Sequence, residues 1–502
     1  MLKILFFLPI VFFTLSNEIC FANTKNNLLL SESLGKSNRL NKKDKTKNII
    51  KLNNIESILK KNNEELKILE SQILQFESLY RSKLSLWYPK LILNSSNLPS
   101  FETGTDEVDL SEDTYTNKLT TSLNFNLEWD LLNFSRNPEI AIAKLNLENS
   151  KVNYKIRYRK LFLETLTNFL LFKSSIEEIK VAERVIAISE MSLNDAKARF
   201  AAGIGNKLEV LESETQLEKD RQFLAKAIGD AKKKEKALKR SLNFQNNDLI
   251  LGNEKFQISG IWNVPIKISM QEAKDNREEL QNINLKKKIN KNDIYLSSSG
   301  KKPKLSIYNT YSISSVKGEE DQINPDFNKT ATSENNIVGL KFNWTLFDGG
   351  QTKHNFKSLK EKGKELEIEY KAYVDELENN IEDNFVDLNL STKNILTSYA
   401  QINSSEEALK LSMQRLKAGV ANQREVLLNL SDFTESKSRF IKAITEYNIN
   451  LEKLKINTGI SETLNCNNER NANNEFIINE VYEDIDLNKL KNICTENILE
   501  IL

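Results

Sequence analysis

Leu123-Asn124-Phe125-Asn126-Leu127-Glu128-Trp129-Asp130-Leu131 places an apolar residue at every odd position and a polar one at every even position. Val338-Gly339-Leu340-Lys341-Phe342-Asn343-Trp344-Thr345-Leu346 repeats that alternation 215 residues later. A period of two is that of a strand with one dry face and one wet face. Weaker stretches of the same length class precede each, Lys90 to Ser96 and Lys304 to Tyr311. Two architectures satisfy the pattern. One is a soluble sheet packed on a layer of helices; the other is a transmembrane barrel, for which ~9–11 residues per strand suffice. Trp129 and Trp344 stand near the ends of their strands, as an aromatic girdle at a membrane surface requires. On the barrel reading the acidic, polar stretches 101–117 and 316–334 are loops outside the cell.

The offset of 215 is no accident of one motif. Lys61-Asn62-Asn63-Glu64-Glu65-Leu66 is matched by Asp275-Asn276-Arg277-Glu278-Glu279-Leu280, and Pro89-Lys90-Leu91 by Pro303-Lys304-Leu305. Arg199-Phe200-Ala201-Ala202-Gly203 is matched by Arg415-Leu416-Lys417-Ala418-Gly419. Across these landmarks the separation drifts only from 214 to 216, so the chain is a tandem duplication. No proline falls between Pro138 and Pro265 or after Pro325. Since proline costs about 3 kcal/mol inside a helix, these tracts permit long helices. Val210, Leu217, Leu224, Ala231 and Leu238 lie seven apart, as do Val426, Phe433, Phe440, Tyr447 and Leu454. Such spacing keeps one seam against a neighbouring helix, as in a coiled coil. Segments near 139–202 and 352–417 read as helices of about 95 Å.

The fold class is therefore mainly α with a β-barrel portion: two helix–strand–strand–helix units, 49–260 and 261–460, contributing four strands. Four strands cannot close a water-filled barrel, because even eight-stranded barrels are filled by side chains. Several copies must share one, in a symmetric oligomer.

Lys3, the apolar run Ile4 to Phe13 and Cys20-Phe21-Ala22 read as a secretory signal cleaved after Ala22. Residues 23–48 form a polar leader, and 461–502 an asparagine-rich, then acidic, periplasmic tail. No later run approaches the ~20 apolar residues of a membrane helix. The 502 residues carry 71 basic and 70 acidic side chains, a net charge of +1 that gives no electrostatic footprint for nucleic acid. Cys466 and Cys494 lie together in the tail, either as a disulfide formed in an oxidising compartment or as two free thiols. Nothing points to an enzyme or a cofactor. His354 is the only histidine, so zinc-type clusters are excluded. Gly349-Gly350 lacks the flanking glycine and lysine of a phosphate loop, and Lys232-Lys233-Lys234 reads as a solvated helix face.

Together the signal, the duplication, the paired strands, the Trp-Thr-Leu-Phe-Asp-Gly-Gly segment at 344–350 and the two Ala-Gly turns followed by Glu-Val-Leu resemble the TolC family of outer-membrane efflux proteins. The resemblance covers roughly residues 49–460. It implies a homotrimer with a twelve-stranded outer-membrane barrel and a periplasmic helical tunnel. It also implies a periplasmic adaptor and an inner-membrane pump as partners, in a tripartite efflux or type I secretion system. A periplasmic coiled-coil scaffold without membrane strands is the alternative. In the family arrangement the turns at Gly203 and Gly419 are the periplasmic tips, with Ile204, Leu208 and Val420 as apolar adaptor contacts. Glu209 and Glu425, six residues past each tip glycine, either ring the pore entrance or simply complement a helix dipole. Leu428 stands where tightly gated members carry a second acid, and Ala421 where some carry an arginine.

Overall fold

The computed structural model describes residues 48–106, 114–244, 249–252, 255–321, 325–460, 490 and 493; all but residue 48 belong to one compact unit. The signal, most of the leader, Cys466 and Cys494 lie outside the described residues. In chain order the first copy comprises β1 (Asn48–Ile50), α1 (Ile55–Asn62), α2 (Glu64–Leu84), β2 (Lys90–Asn94), β3 (Ser100–Asp106), β4 (Thr114–Leu132), α3 (Arg136–Ala201) and α4 (Lys207–Ser241). After β5 (Leu249–Leu251) and α5 (Ile266–Asn276), the second comprises α6 (Glu278–Ser299), β6 (Lys304–Asp321), β7 (Thr330–Asn343), α7 (Gln351–Lys417) and α8 (Gln423–Thr458).

The recurring Glu-Glu-Leu landmark is a helix start. Asn63 accepts the Leu66 N–H at 3.1 Å, which satisfies one of the free donors at the head of α2. The second copy has Arg277 at that place; its guanidinium reaches across to Asn457 on α8 instead, at 3.2 Å. α3, whose one proline (Pro138) sits in its first turn, and proline-free α7 run for 66 and 67 residues, about 100 Å each. Both end identically. Gly203 and Gly419 take φ of +76°, a conformation open to glycine at little cost, and the next N–H turns back to the Arg199 or Arg415 carbonyl.

The heptad seams are used unequally. All five seam residues of α8 are buried, whereas on α4 Val210 and Leu224 are only half-buried. The reason is placement: α8 packs on α3, α5 and α7, while α4 packs chiefly on α3. The main core forms around α7 and α8, closed by an extended segment whose Phe256, Ile258, Ile261 and Trp262 are buried, together with Leu490 and Ile493. Asn448 holds that segment by both ends of its amide, accepting from Ser259 N–H at 2.8 Å and donating to the Gln257 carbonyl at 2.9 Å.

The four-strand expectation is met by one antiparallel sheet in the order β2-β4-β6-β7, with β3 continuing β2 along the same side of β4. Its strands differ from expectation in length. β4, β6 and β7 contain 19, 18 and 14 residues, so much of 101–117 and 316–334 is strand and not loop. The apolar alternation marks only the part with a dry face; beyond it Thr and Ser pairs continue the ladder, as between Thr120 and Ser100 or Ser315 and Thr332. Gly318 permits this extension. With φ of +98° it brings its backbone so close to Asn117 that a Cβ would collide with the Asn117 carbonyl. At the other end β7 stops at Asn343, so Trp344 stands just past its strand. There the chain already bends toward Asp348, which accepts the N–H of Gly350 and Thr352 at 3.0 and 2.9 Å and opens α7.

Candidate functional site: the sheet, its aromatic rim and the helical tips

The register sorts the sheet into two chemistries. Leu91 faces Leu127, Leu93 faces Phe125, Leu123 faces Ile313, and Trp129 faces Ile307, which in turn faces Leu340. No helix covers this apolar face: Leu91 is 68% exposed and Leu340 66%. A soluble sheet would have that face buried on helices. Two asparagines on the same face, Asn309 and Asn336, satisfy each other at 2.6 Å.

The opposite face is polar and internally bonded. Asn126 donates to Asn94 at 2.8 Å and accepts from Thr310 at 3.0 Å. Lys304 pairs with Asp130 at 2.9 Å, and Lys341 lies 3.8 Å from Glu128. Tyr308 lies flat over Gly339, where any Cβ would come within 2.7 Å of its hydroxyl. Glycine there lets the ring rest against the wall.

At the helical end of the sheet the two tryptophans are anchored alike. Trp129 Nε1 donates to the Trp87 carbonyl and Trp344 Nε1 to the Lys301 carbonyl, both at 3.0 Å. The turns they reach are counterparts in the duplication but differ in chemistry. The first is Trp87-Tyr88, with the Arg136 guanidinium 4.3 Å over the Trp87 ring; the second is Lys301-Lys302, with Lys302 Nζ 4.8 Å over Phe134.

The tips share a backbone and differ in contacts. Asn206 and Asn422 cap α4 and α8 through the N–H of Glu209 and Glu425, each at 2.9 Å. Both glutamates thus sit in a first helical turn, where their charge complements the dipole. Glu425 is also bound by Arg415 at 2.7 Å. Its counterpart Glu209 has one buried oxygen without a hydrogen-bond partner in the chain, because Arg199 turns away to the Leu416 carbonyl at 3.2 Å. Ile204, Leu208 and Val420 are exposed, Ile204 at 72%.

Sequence reasoning missed what ties the tips together. Gln423 is fully buried, and its amide donates to Ser192 Oγ on α3 at 2.6 Å and Ser213 Oγ on α4 at 2.9 Å. Arg424 reaches Glu212 on α4 at 3.0 Å. Higher up, Asp220 is buried and bonded to Ser189, and burial raises its carboxyl above the ordinary range. Burial pushes the Lys437 ammonium down to about 8, beside Glu406 and Arg184.

Among the described residues no helix is long and apolar enough to cross a membrane, and no group of side chains could hold a metal ion. The sequence model of the outer membrane efflux protein family matches residues 57–243 and 269–459, the two copies in turn. The chain belongs to the outer membrane efflux protein family. Solved structures agree on the fold. The channel CusC superposes with a TM-score of 0.66 at 14% identity, over 81% of this chain and 91% of that one. A membrane protein from Pseudomonas aeruginosa gives 0.66 at 18%, over 83% and 95%. The CmeC outer membrane channel of Campylobacter jejuni gives 0.63 at 15%, over 89% and 95%. No curated protein matches. As an efflux-family member the chain resides in the outer membrane and is a transport duct, not an enzyme.

Proposed function

We propose that the chain is one third of a trimeric exit duct, through which an inner-membrane pump and a periplasmic adaptor expel cargo in a tripartite efflux or type I secretion assembly. The observation that carries this reading is the bare apolar face of a sheet with two open edges. β7 and the β2–β3 line each lack a partner on one side within the chain's sheet, and long unpaired edges seek another chain. Three copies joined edge to edge give twelve strands, with the polar face lining a lumen. The scaffold alternative leaves that apolar face in water and has no observation in its favour.

The tips are the adaptor-docking ends in this reading, through Gly203, Ile204, Leu208, Gly419 and Val420, while Trp129 and Trp344 mark the membrane's periplasmic surface. Glu209 and Glu425 ring the entrance, Glu209 without the arginine that neutralises Glu425. Single-channel recording in a planar bilayer tests both levels. Cation-preferring openings that lose their preference in a Glu209→Gln, Glu425→Gln variant are expected, with three copies per particle by native mass spectrometry. A protein soluble without detergent that never inserts would sink the duct; openings indifferent to the substitutions would sink the rings alone.

A further inference from the structure

The turn between α6 and β6 lies at the foot of the membrane sheet. Trp344, on the apolar side, fixes its level by donating to the Lys301 carbonyl. The first-copy counterpart of this turn is Trp87-Tyr88, an aromatic pair; here it is Lys301-Lys302. Both lysines are exposed. That exposure does not come from a missing neighbour, because β6 has β4 on one side and β7 on the other within the same chain. The cations are only loosely engaged. Lys301 Nζ is 3.5 Å from Asp348, whose carboxylate is already held by two backbone N–H groups, and Lys302 rests on the Phe134 ring. The charges on the sheet's polar face pair with one another, Lys304 with Asp130 and Lys341 with Glu128, and do not extend to this turn. Exposed Trp344 and Phe134 touch this turn, and Leu346 and Phe347, just before Asp348 in sequence, are exposed as well. In the first copy Leu131 and Leu132, counterparts of Leu346 and Phe347, remain exposed although a strand lies beside them, so an assembled ring keeps apolar surface here.

Two cations bordering an apolar face, at the level of an interfacial tryptophan, match one chemistry: a phosphate headgroup joined to acyl chains. We infer that the Lys301-Lys302 turn is a binding site for anionic phospholipid of the periplasmic leaflet. The inference rests on the membrane placement of the sheet. Its partner is selected by charge complementarity, for lysines near a bilayer surface favour anionic over zwitterionic lipid. Phe134 presents its ring to the Lys302 ammonium and a wall to the lipid glycerol and upper chain. The counterpart turn Trp87-Tyr88 carries no lysine, and the Arg136 guanidinium on Trp87 is buried, so each chain carries one anionic-lipid corner and one aromatic corner.

The full chain, reconstituted in phosphatidylcholine nanodiscs with spin-labelled phosphatidylglycerol or phosphatidylcholine as probe, reports the relative affinity through the motionally restricted lipid fraction. The wild type is expected to prefer phosphatidylglycerol at low salt, and Lys301→Gln, Lys302→Gln to lower that preference about 30-fold at the site. Raised salt should weaken the preference in the wild type only. Tyr88→Lys, at an exposed position of the first copy, should add a second population of restricted phosphatidylglycerol. Equal affinity of the wild type for both lipids, or a preference untouched by the double substitution, overturns the site. Pore formation in pure phosphatidylcholine separates this outcome from failure of the duct: a protein that conducts there but shows no lipid preference is still a duct, without the anionic corner.

Discussion

Replacing Lys437 by methionine should stabilise this protein at neutral pH, and should do so less as the pH is raised. Lys437 is buried on α8 with its ammonium 4.4 Å over the Phe433 ring, facing Glu406 of α7 and Arg184 of α3. Burial is the main cause of its depressed pKa, Glu406 pulls it back up, and Arg184 adds to the fall. A shift from 10.5 to about 8 penalises the charged form by ~3 kcal/mol at about 1.4 kcal/mol per unit. Residual hydration of the amine and the loss of its attraction to Glu406 reduce the expected gain to about 2 kcal/mol. Methionine has a comparable length and keeps the contact with Phe433. The sign follows from proton binding: between 8 and 10.5 the unfolded lysine holds a proton that the folded one has released, so wild-type stability rises with pH through that window. Below 8 the penalty is fully present; above 10.5 it is gone. Thermal loss of the helical circular dichroism signal, in detergent at pH 7 and pH 10.5, measures the difference between the two proteins. For several hundred residues 2 kcal/mol is about 2 °C. A methionine variant that melts below the wild type at pH 7, or whose advantage does not shrink with pH, would refute the reasoning.

Asp220→Asn should likewise stabilise above the carboxylate range: burial raises the folded carboxyl above 3.8, so the folded state loses stability as pH rises through that raised value, and the amide removes the loss while keeping Ser189 and Gln216 as partners. The same melting assay checks it, with the two proteins converging below about pH 4. Gln423→Leu should cost about 1–2 kcal/mol, two lost hydrogen bonds less the relief of its unpartnered buried oxygen, and hydrogen exchange should quicken around 189–215 near the tips. Gly318→Val should prevent β6 from passing Asn117 and abolish heat-resistant oligomers on a gel, whereas Gly104→Val, in open space, should leave them intact.

Much of this architecture was legible because it obeys a period. The repeat of two announced the sheet and its two faces, the repeat of seven announced α4 and α8, and the duplication let each copy check the other. Strand length was not legible, since the Thr and Ser pairs that prolong β4, β6 and β7 carry no hydrophobic signal. The aromatic rim was half legible: Trp129 and Trp344 stood out, but not the carbonyls they reach, one of which belongs to Lys301. At the tips the turn glycines and capping asparagines could be read locally. Gln423 could not, because its partners lie on two other helices more than 200 residues away in sequence. The difference between Glu209 and Glu425 likewise depends on where two arginines turn.

The paired tips have a consequence for counting. Gly203 and Gly419 impose one backbone geometry, while Arg199 and Arg415, or Lys207 and Gln423, give each tip its own contacts. In the proposed trimer six ends would agree in shape and alternate in chemistry. A sixfold ring of identical partner molecules would find two classes of seat, three of each. Its titration should fill in two steps with a plateau at three bound, and giving both tips the same side chains should merge the steps into one.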